Sequence, residues 1–206
     1  MNSYYEFPRT ELLPFIPDDL KTALDVGCAA GVFGKMLKEK YGCFVWGIEP
    51  VTEMAQKASD RLDKVTTGYF DEKIDFGDQK FGAIFFNDVL EHMESPEKAL
   101  QIAQTLLSPG GKIIASIPNI LHFETLRMIV KNKDWKYENA GILDRTHLRF
   151  FTRKSIIRMF EESGFIINKI EGINPEYKTL FRILRKVLPS YEEMSYVQFA
   201  VVAQKA

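Results

Sequence analysis

The stretch Ala23-Leu24-Asp25-Val26-Gly27-Cys28-Ala29-Ala30-Gly31-Val32-Phe33-Gly34 holds the densest set of residues able to do chemistry. An apolar run enters a turn with two glycines and leaves it in a helix-period pattern. Gly27 permits the turn, Gly31 would let a ligand approach the backbone, and amides at the helix start offer donors to a carboxylate or phosphate. Glu49 ends the next apolar run, 22 residues after Gly27, where a carboxylate can accept bonds from both hydroxyls of a ribose. A glycine turn alone is common to every doubly wound fold. Joined to Asp25 and Glu49, it points to a ligand that carries a nucleoside.

A dinucleotide site would want glycine at position 29 for close passage of a pyrophosphate, and the residue there is Ala29. Asp25 would repel a diphosphate. It suits instead the ammonium and sulfonium end of S-adenosylmethionine. Cys28 reads as a small pocket or core residue rather than a nucleophile, because no activating base is evident beside it.

Two further groups carry titratable side chains. Glu91 and His92 look like a metal or acid/base pair, but neighbours on a helix point about 100° apart. With no third spaced ligand visible, no metal centre is expected, and their duller role is to fix a loop. His147 lies beside Asp144, Arg145 and Arg149, in the irregular region that also holds Trp135 and Tyr137. A histidine titrates near pH 6.5 and suits proton transfer near neutrality. Its bland alternative is a ring that bonds a backbone carbonyl.

The elements that must position these groups follow from periodicity. Short apolar runs over Ala23 to Val26, Phe44 to Ile48, Lys64 to Thr67, Ala83 to Phe86 and Ile113 to Ile117 alternate with helix-period segments. That alternation predicts a parallel α/β sheet with buried strands. One helix should start at Ser95-Pro96-Glu97, with Ser95 capping free amides, and stop at Pro109-Gly110-Gly111. Another should start near Thr152 and stop at Gly164. Two late strands, Phe165 to Ile170 and Tyr196 to Ala203, complete the sheet. Ligands of open α/β sheets sit beyond the carboxyl ends of the strands, which makes residues 119–151 the expected lid and acceptor region.

At this point a resemblance can be stated. Asp25 to Gly31, Glu49, Asn87-Asp88-Val89-Leu90-Glu91-His92, and Leu106-Leu107-Ser108-Pro109-Gly110-Gly111 resemble class I S-adenosylmethionine-dependent methyltransferases. The similarity continues in Ile117-Pro118-Asn119 and in His147-Leu148-Arg149-Phe150-Phe151-Thr152 through Glu162-Ser163-Gly164-Phe165, which look like small-molecule branches of that family. Glu171-Gly172-Ile173-Asn174-Pro175 is weakly similar to quinone-biosynthesis O-methyltransferases. The resemblance implies a doubly wound, seven-stranded, mostly parallel sheet with an antiparallel C-terminal strand pair. It also implies that Asp25, Gly27, Cys28 and Gly31 line the methionine portion of the cofactor and Glu49 its ribose. Asp71 would meet the adenine amino group, although Gly68-Tyr69-Phe70-Asp71 departs from the usual Gly-Asp. Asn87 and Asp88 would lie beside the transferred methyl. The expected reaction is methyl transfer to a small molecule, at oxygen in the first instance, with His147 as the base ahead of Asp88 and Glu91.

Composition narrows the alternatives. The 206 residues include 46% hydrophobic residues and 16 Phe, enough for a core in one methyltransferase domain over 1–206. With 27 basic and 28 acidic residues the net charge is −1, so nucleic acid is not an expected partner. Two cysteines and no long apolar run favour a cytoplasmic chain without membrane insertion. Residues 176–189 form an amphipathic stripe, read as an inserted helix packed on the domain or on a second subunit, as in a homodimer, with a membrane surface as the other reading. Two other functions stay open here: a nicotinamide oxidoreductase, and a noncatalytic cofactor-binding or assembly module.

Overall fold

The computed structural model describes residues 8–176 and 189–206. Most of the stripe at 176–189 lies outside the described residues. Among the described residues seven strands form one sheet: β1 (Thr22–Val26), β2 (Phe44–Glu49), β3 (Lys64–Thr67), β4 (Phe81–Asn87), β5 (Leu107–Pro118), β6 (Phe165–Pro175) and β7 (Tyr196–Lys205). Their spatial order is β3-β2-β1-β4-β5-β7-β6. The first five pair in parallel, whereas β7 runs antiparallel to both β5 and β6. This is the mixed sheet expected above. It departs from the purely parallel six-stranded sheet that the oxidoreductase alternative would require.

The helices are α1 (Val32–Tyr41), α2 (Thr52–Ser59), α3 (Pro96–Leu106), α4 (Phe123–Asn132) and α5 (Arg153–Glu162). Strand β1 is buried at Ala23, Leu24, Asp25 and Val26, and β4 at Phe81 and from Ala83 to Phe86, so both faces of the central sheet are covered. Phe81, Ile84 and Phe86 join Leu100, Ala103, Ile156 and Phe160 on one side. Phe85 joins Leu12, Phe33, Leu37 and Ala58 on the other.

Several local expectations hold. Helix α5 starts at Thr152, whose hydroxyl accepts from the Ser155 amide at 3.2 Å while Ser155 Oγ accepts from the Thr152 amide at 2.9 Å. Gly164 takes the left-handed conformation at φ 81°. Others differ. Ser95 precedes α3, but its side chain makes no capping bond; its backbone oxygen accepts from Lys98 and Ala99. Strand β5 begins at Leu107 and contains Pro109-Gly110-Gly111, with a register shift between Phe81 and Ala83 on its partner. Helix α4 falls within the segment read as irregular.

Candidate functional site

Chain order reverses between β1 and β4, since the sheet grows outward to β3 and then returns to the other side of β1. The carboxyl ends of these two strands therefore bound the crevice where ligands of such sheets bind. Asp25 lies near the end of β1, Glu49 ends β2 and Asn87 ends β4. The fold brings the sequence-distant acids to one edge.

The turn after β1 is built on positive φ at Gly27 (71°), Ala29 (48°) and Gly31 (77°). A Cβ on Gly27 would sit 2.7 Å from Val89 Cγ2, while one on Gly31 would sit 3.0 Å from Ala58 Cα. The close approach that Gly31 permits is thus first that of α2, not only that of a ligand. Ala29 adopts a left-handed conformation, at a cost of about 1–2 kcal/mol for an L-residue. Glu49 secures it: its Oε2 accepts from the Ala29 amide at 2.9 Å and its Oε1 from the Val51 amide at 2.9 Å. Each oxygen retains a second lone pair for a ribose hydroxyl. Cys28 is buried against Gly47, and burial pushes its thiol far above the ordinary range. It is a packing residue here.

Among the described residues, the fully buried side-chain oxygens without a protein partner are Asp25 Oδ2, Asn87 Oδ1 and both carboxylate oxygens of Glu91. All belong to the ends of β1 and β4 or to the turn just beyond. A buried acceptor without a donor carries a desolvation penalty of about 1–3 kcal/mol. The orphaned acceptors of Asp25 and Asn87, at the two strand ends, call for a ligand rich in donors and positive charge. Burial, then the neighbouring Glu49, push the Asp25 carboxyl up to about 7 against the pull of Arg9. A sulfonium, an ammonium, ribose hydroxyls and an adenine amino group answer that demand, so the residues fit S-adenosylmethionine.

Asp88 sits otherwise than expected. Its φ is 54°, and its carboxylate is engaged by the protein itself: Oδ1 accepts from Ser116 Oγ at 2.8 Å and Gln198 Nε2 at 2.7 Å, and Oδ2 pairs with Arg9. Gln198 in turn accepts from Asn174 Nδ2 at 2.8 Å. Asp88 therefore ties β4, β5, β6, β7 and the segment before β1 together, and it anchors the cation that offsets Asp25. Asp71 has its Oδ1 on the Lys73 amide at 2.9 Å, an Asx turn that closes its own loop. It lines a cavity of about 400 Å³ with Ile74, Phe76, Lys98, Gln101 and Ile102. Sequence reasoning missed Arg9, Ser116 and Gln198. Nothing local marks them, since their partner at position 88 is brought by tertiary structure alone.

His147 is buried, with side-chain exposure of 5%. Its Nδ1 lies 3.0 Å from the Ile142 carbonyl oxygen. A carbonyl can only accept, so Nδ1 carries the proton and Nε2 keeps the lone pair. Nε2 faces Glu91 Oε1 at 3.9 Å, and the His92 ring stacks edge-on at 4.7 Å between centroids. Burial lowers the pKa of His147, against the raising effect of the Ile142 carbonyl and Asp144, and so favours the neutral ring. The fold brings His147 to Glu91 and His92, which the sequence alone does not show, and one potential ligand atom from each of the three lies within 4.8 Å of the others.

Comparison with known proteins locates this crevice in a family. The model of the methyltransferase domain matches residues 3–169. An uncharacterized protein of Methanocaldococcus jannaschii is 30% identical over 186 residues, covering 88% of this chain and 81% of the relative. A ubiquinone biosynthesis O-methyltransferase of Aeromonas salmonicida is 24% identical over 162 residues, or 75% of this chain and 66% of that protein. Among solved structures, an S-adenosylmethionine-dependent methyltransferase from Archaeoglobus fulgidus superposes with a TM-score of 0.71 at 18% identity, covering 98% of this chain and 94% of that one; it shows the shared fold. Because the family match takes in every strand that bounds the crevice, the chain belongs to the methyltransferase-domain family and is an S-adenosylmethionine-dependent methyltransferase.

Proposed function

We propose that this enzyme methylates a hydroxyl oxygen of a small-molecule acceptor, and that the cluster formed by His147, Glu91 and His92 removes the acceptor's proton. The observation that carries the reading is the placement of His147 Nε2, a lone pair on a buried ring, 3.9 Å from Glu91 Oε1 in the turn that follows the β4 end where Asn87 would meet the methyl group. S-adenosylmethionine supplies an activated methyl group, so the protein's task is to position the acceptor in line and take its proton. Positioning of this kind supplies up to roughly 7–11 kcal/mol.

In this reading Asp25 holds the ammonium and sulfonium end, Glu49 the ribose, Asn87 the region of the methyl group, and Asp71 closes the loop near the adenine. Gly27 and Gly31 allow the turn, Cys28 fills behind it, and Asp88 sets Arg9. Residues 119–151 serve as the acceptor lid of a single domain. Trp135 and Tyr137 are 41% and 48% exposed and flank Phe150, with ring centroids at 4.9 Å and 6.4 Å. Half-exposed aromatic rings beside a crevice suit an acceptor with a flat apolar face. The names of the ubiquinone-biosynthesis relatives support oxygen as the atom methylated. No helix among the described residues is long and apolar enough to cross a membrane.

The test is a methyl-labelled donor incubated with the protein and pooled metabolites, with the product identified by mass spectrometry. An O-methyl ether is expected; an exclusively N- or C-methylated product would overturn the acceptor assignment. His147→Asn should lower methyl transfer by roughly 10²–10⁴ while donor affinity stays normal. Intact turnover in a variant of reduced stability would return His147 to a purely structural role.

A further inference from the structure

The turn after β4 and the loop before α5 meet at a cluster that a methyl donor does not explain. Glu91 is 1% exposed, and neither carboxylate oxygen has a protein partner. Its separation from His147 Nε2, 3.9 Å, is too long for a hydrogen bond, so a shared proton does not satisfy the pair. The cluster is also rigid. The backbone oxygen of Glu91 accepts from the amides of Leu148 at 2.8 Å and Arg149 at 3.0 Å.

Both histidines are set for the same task. His147 Nδ1 is committed to the Ile142 carbonyl at 3.0 Å. His92 Nδ1 lies 3.2 Å from the Thr146 carbonyl oxygen and 3.2 Å from Thr146 Oγ1, whose own proton goes to Asp144 Oδ1. In each ring a backbone carbonyl therefore fixes the tautomer with the lone pair on Nε2. This is the arrangement that orients metal-binding imidazoles, where the second nitrogen donates to a carbonyl or carboxylate. Asp88 and Asp144 add negative potential around Glu91, and Arg9 opposes it.

We propose that Glu91, His92 and His147 bind a divalent transition-metal ion of the zinc type. Two imidazoles and one carboxylate are the donor set of open zinc sites with three protein ligands, and they disfavour magnesium and calcium, which take oxygen shells. Ligand atoms in a tetrahedral zinc site stand about 3.3 Å apart. From a cluster whose members already lie within 4.8 Å of one another, closure needs shifts of at most about 1 Å. The half-exposed His92 gives the ion a route in from solvent.

Three protein ligands would leave a fourth position for an acceptor oxygen; that use rests on the O-methylation reading, whereas binding of the ion does not. An acceptor hydroxyl at that position loses its proton to solvent more readily because the cation stabilises the oxyanion. The oxygen lone pair then forms the carbon–oxygen bond as the carbon–sulfur bond breaks, with its electron pair left on sulfur. The products are a methyl ether, the thioether of the donor and one proton. With the ion bound, the His147 Nε2 lone pair is a ligand and the proton leaves to solvent; His147 takes the proton itself only where no ion is held.

The experiment uses the full chain stripped with a chelator and titrated with Zn²⁺ alone by calorimetry, then with Co²⁺ followed by visible absorption. One ion per chain is expected, with a cobalt band that zinc displaces. Glu91→Gln, which mimics the protonated acid, and His92→Gln should each weaken zinc binding by more than about 100-fold, while His122→Gln, outside the cluster, should not. No stoichiometric uptake, or uptake unchanged in both cluster variants, would overturn the site. Methyl transfer should fall on stripping and return with Zn²⁺ or Co²⁺. Full activity in the stripped protein would overturn the ion's catalytic use while leaving O-methylation intact, whereas an N- or C-methylated product alongside normal zinc binding would overturn the acceptor reading alone.

Discussion

Replacing Asp25 by asparagine should make the enzyme less sensitive to alkaline pH while weakening its hold on the donor. Asp25 is 2% exposed, one of its oxygens has no protein partner, and burial beside Glu49 lifts its carboxyl from 3.8 to about 7. The unfolded chain titrates this group near 3.9. Between those values the folded state binds the extra proton, so stability falls as pH rises through the window, and the full deficit is present above about 7. At about 1.36 kcal/mol per pKa unit the difference amounts to about 4 kcal/mol. The assay is denaturant unfolding of wild type and Asp25→Asn at pH 4.5 and pH 8. Contributions of other groups are common to both proteins, so the change in ΔΔG between the two pH values isolates Asp25 and should favour the variant at pH 8 by about 3–4 kcal/mol. Added S-adenosylmethionine should stabilise wild type more at pH 8 than at pH 4.5, because its cationic end meets the ionised carboxylate. Parallel pH profiles for the two proteins would refute the reasoning.

Glu49→Ala removes the acceptor of the Ala29 and Val51 amides together with the expected ribose contact, a loss of order 1.5–3 kcal/mol; calorimetry should show donor binding at least about tenfold weaker, and unchanged affinity in a folded variant would take Glu49 out of the site. Arg9→Ala leaves Asp88 with only neutral donors and should cost about 2–4 kcal/mol of stability. The double variant with Asp88→Asn should recover part of that loss in thermal unfolding, since the pair is coupled. Thr152→Ala deletes the cap that accepts the Ser155 amide and should lower stability by about 1 kcal/mol with donor affinity unchanged.

The sheet was legible because its signals are local: apolar runs on Ala23 to Val26 and Ala83 to Phe86, the Thr152 start, the Gly164 stop. Asp25, Gly27, Glu49 and Asn87 were legible because each stands at a fixed distance from a strand end, and the strand ends meet at the crevice. Helix α4 was passed over although its apolar residues recur at helical spacing; it lies between Asn119 and Phe151, where Thr125 is its one buried residue and no side-chain cap marks its start. Asp88 could be found but not understood, because its partners lie 79, 28 and 110 residues away. The joining of Glu91, His92 and His147 was hidden for the same reason. Adjacent side chains diverge, and only the loop bonded back onto the Glu91 backbone oxygen brings the third in.

The placement of β7 bears on how the chain is made. Residues 196–205 lie between β5 and β6, both of which leave the ribosome earlier. Until they emerge, β5 presents an open edge and β6 has no neighbour, which is the exposure that invites pairing with another chain. Gln198, which fastens Asp88, arrives in the same segment. Synthesis of the crevice is thereby completed by one of the last strands translated, so a nascent chain stalled before residue 196 should hold no donor, and protection of β5 against proteolysis should appear together with donor binding.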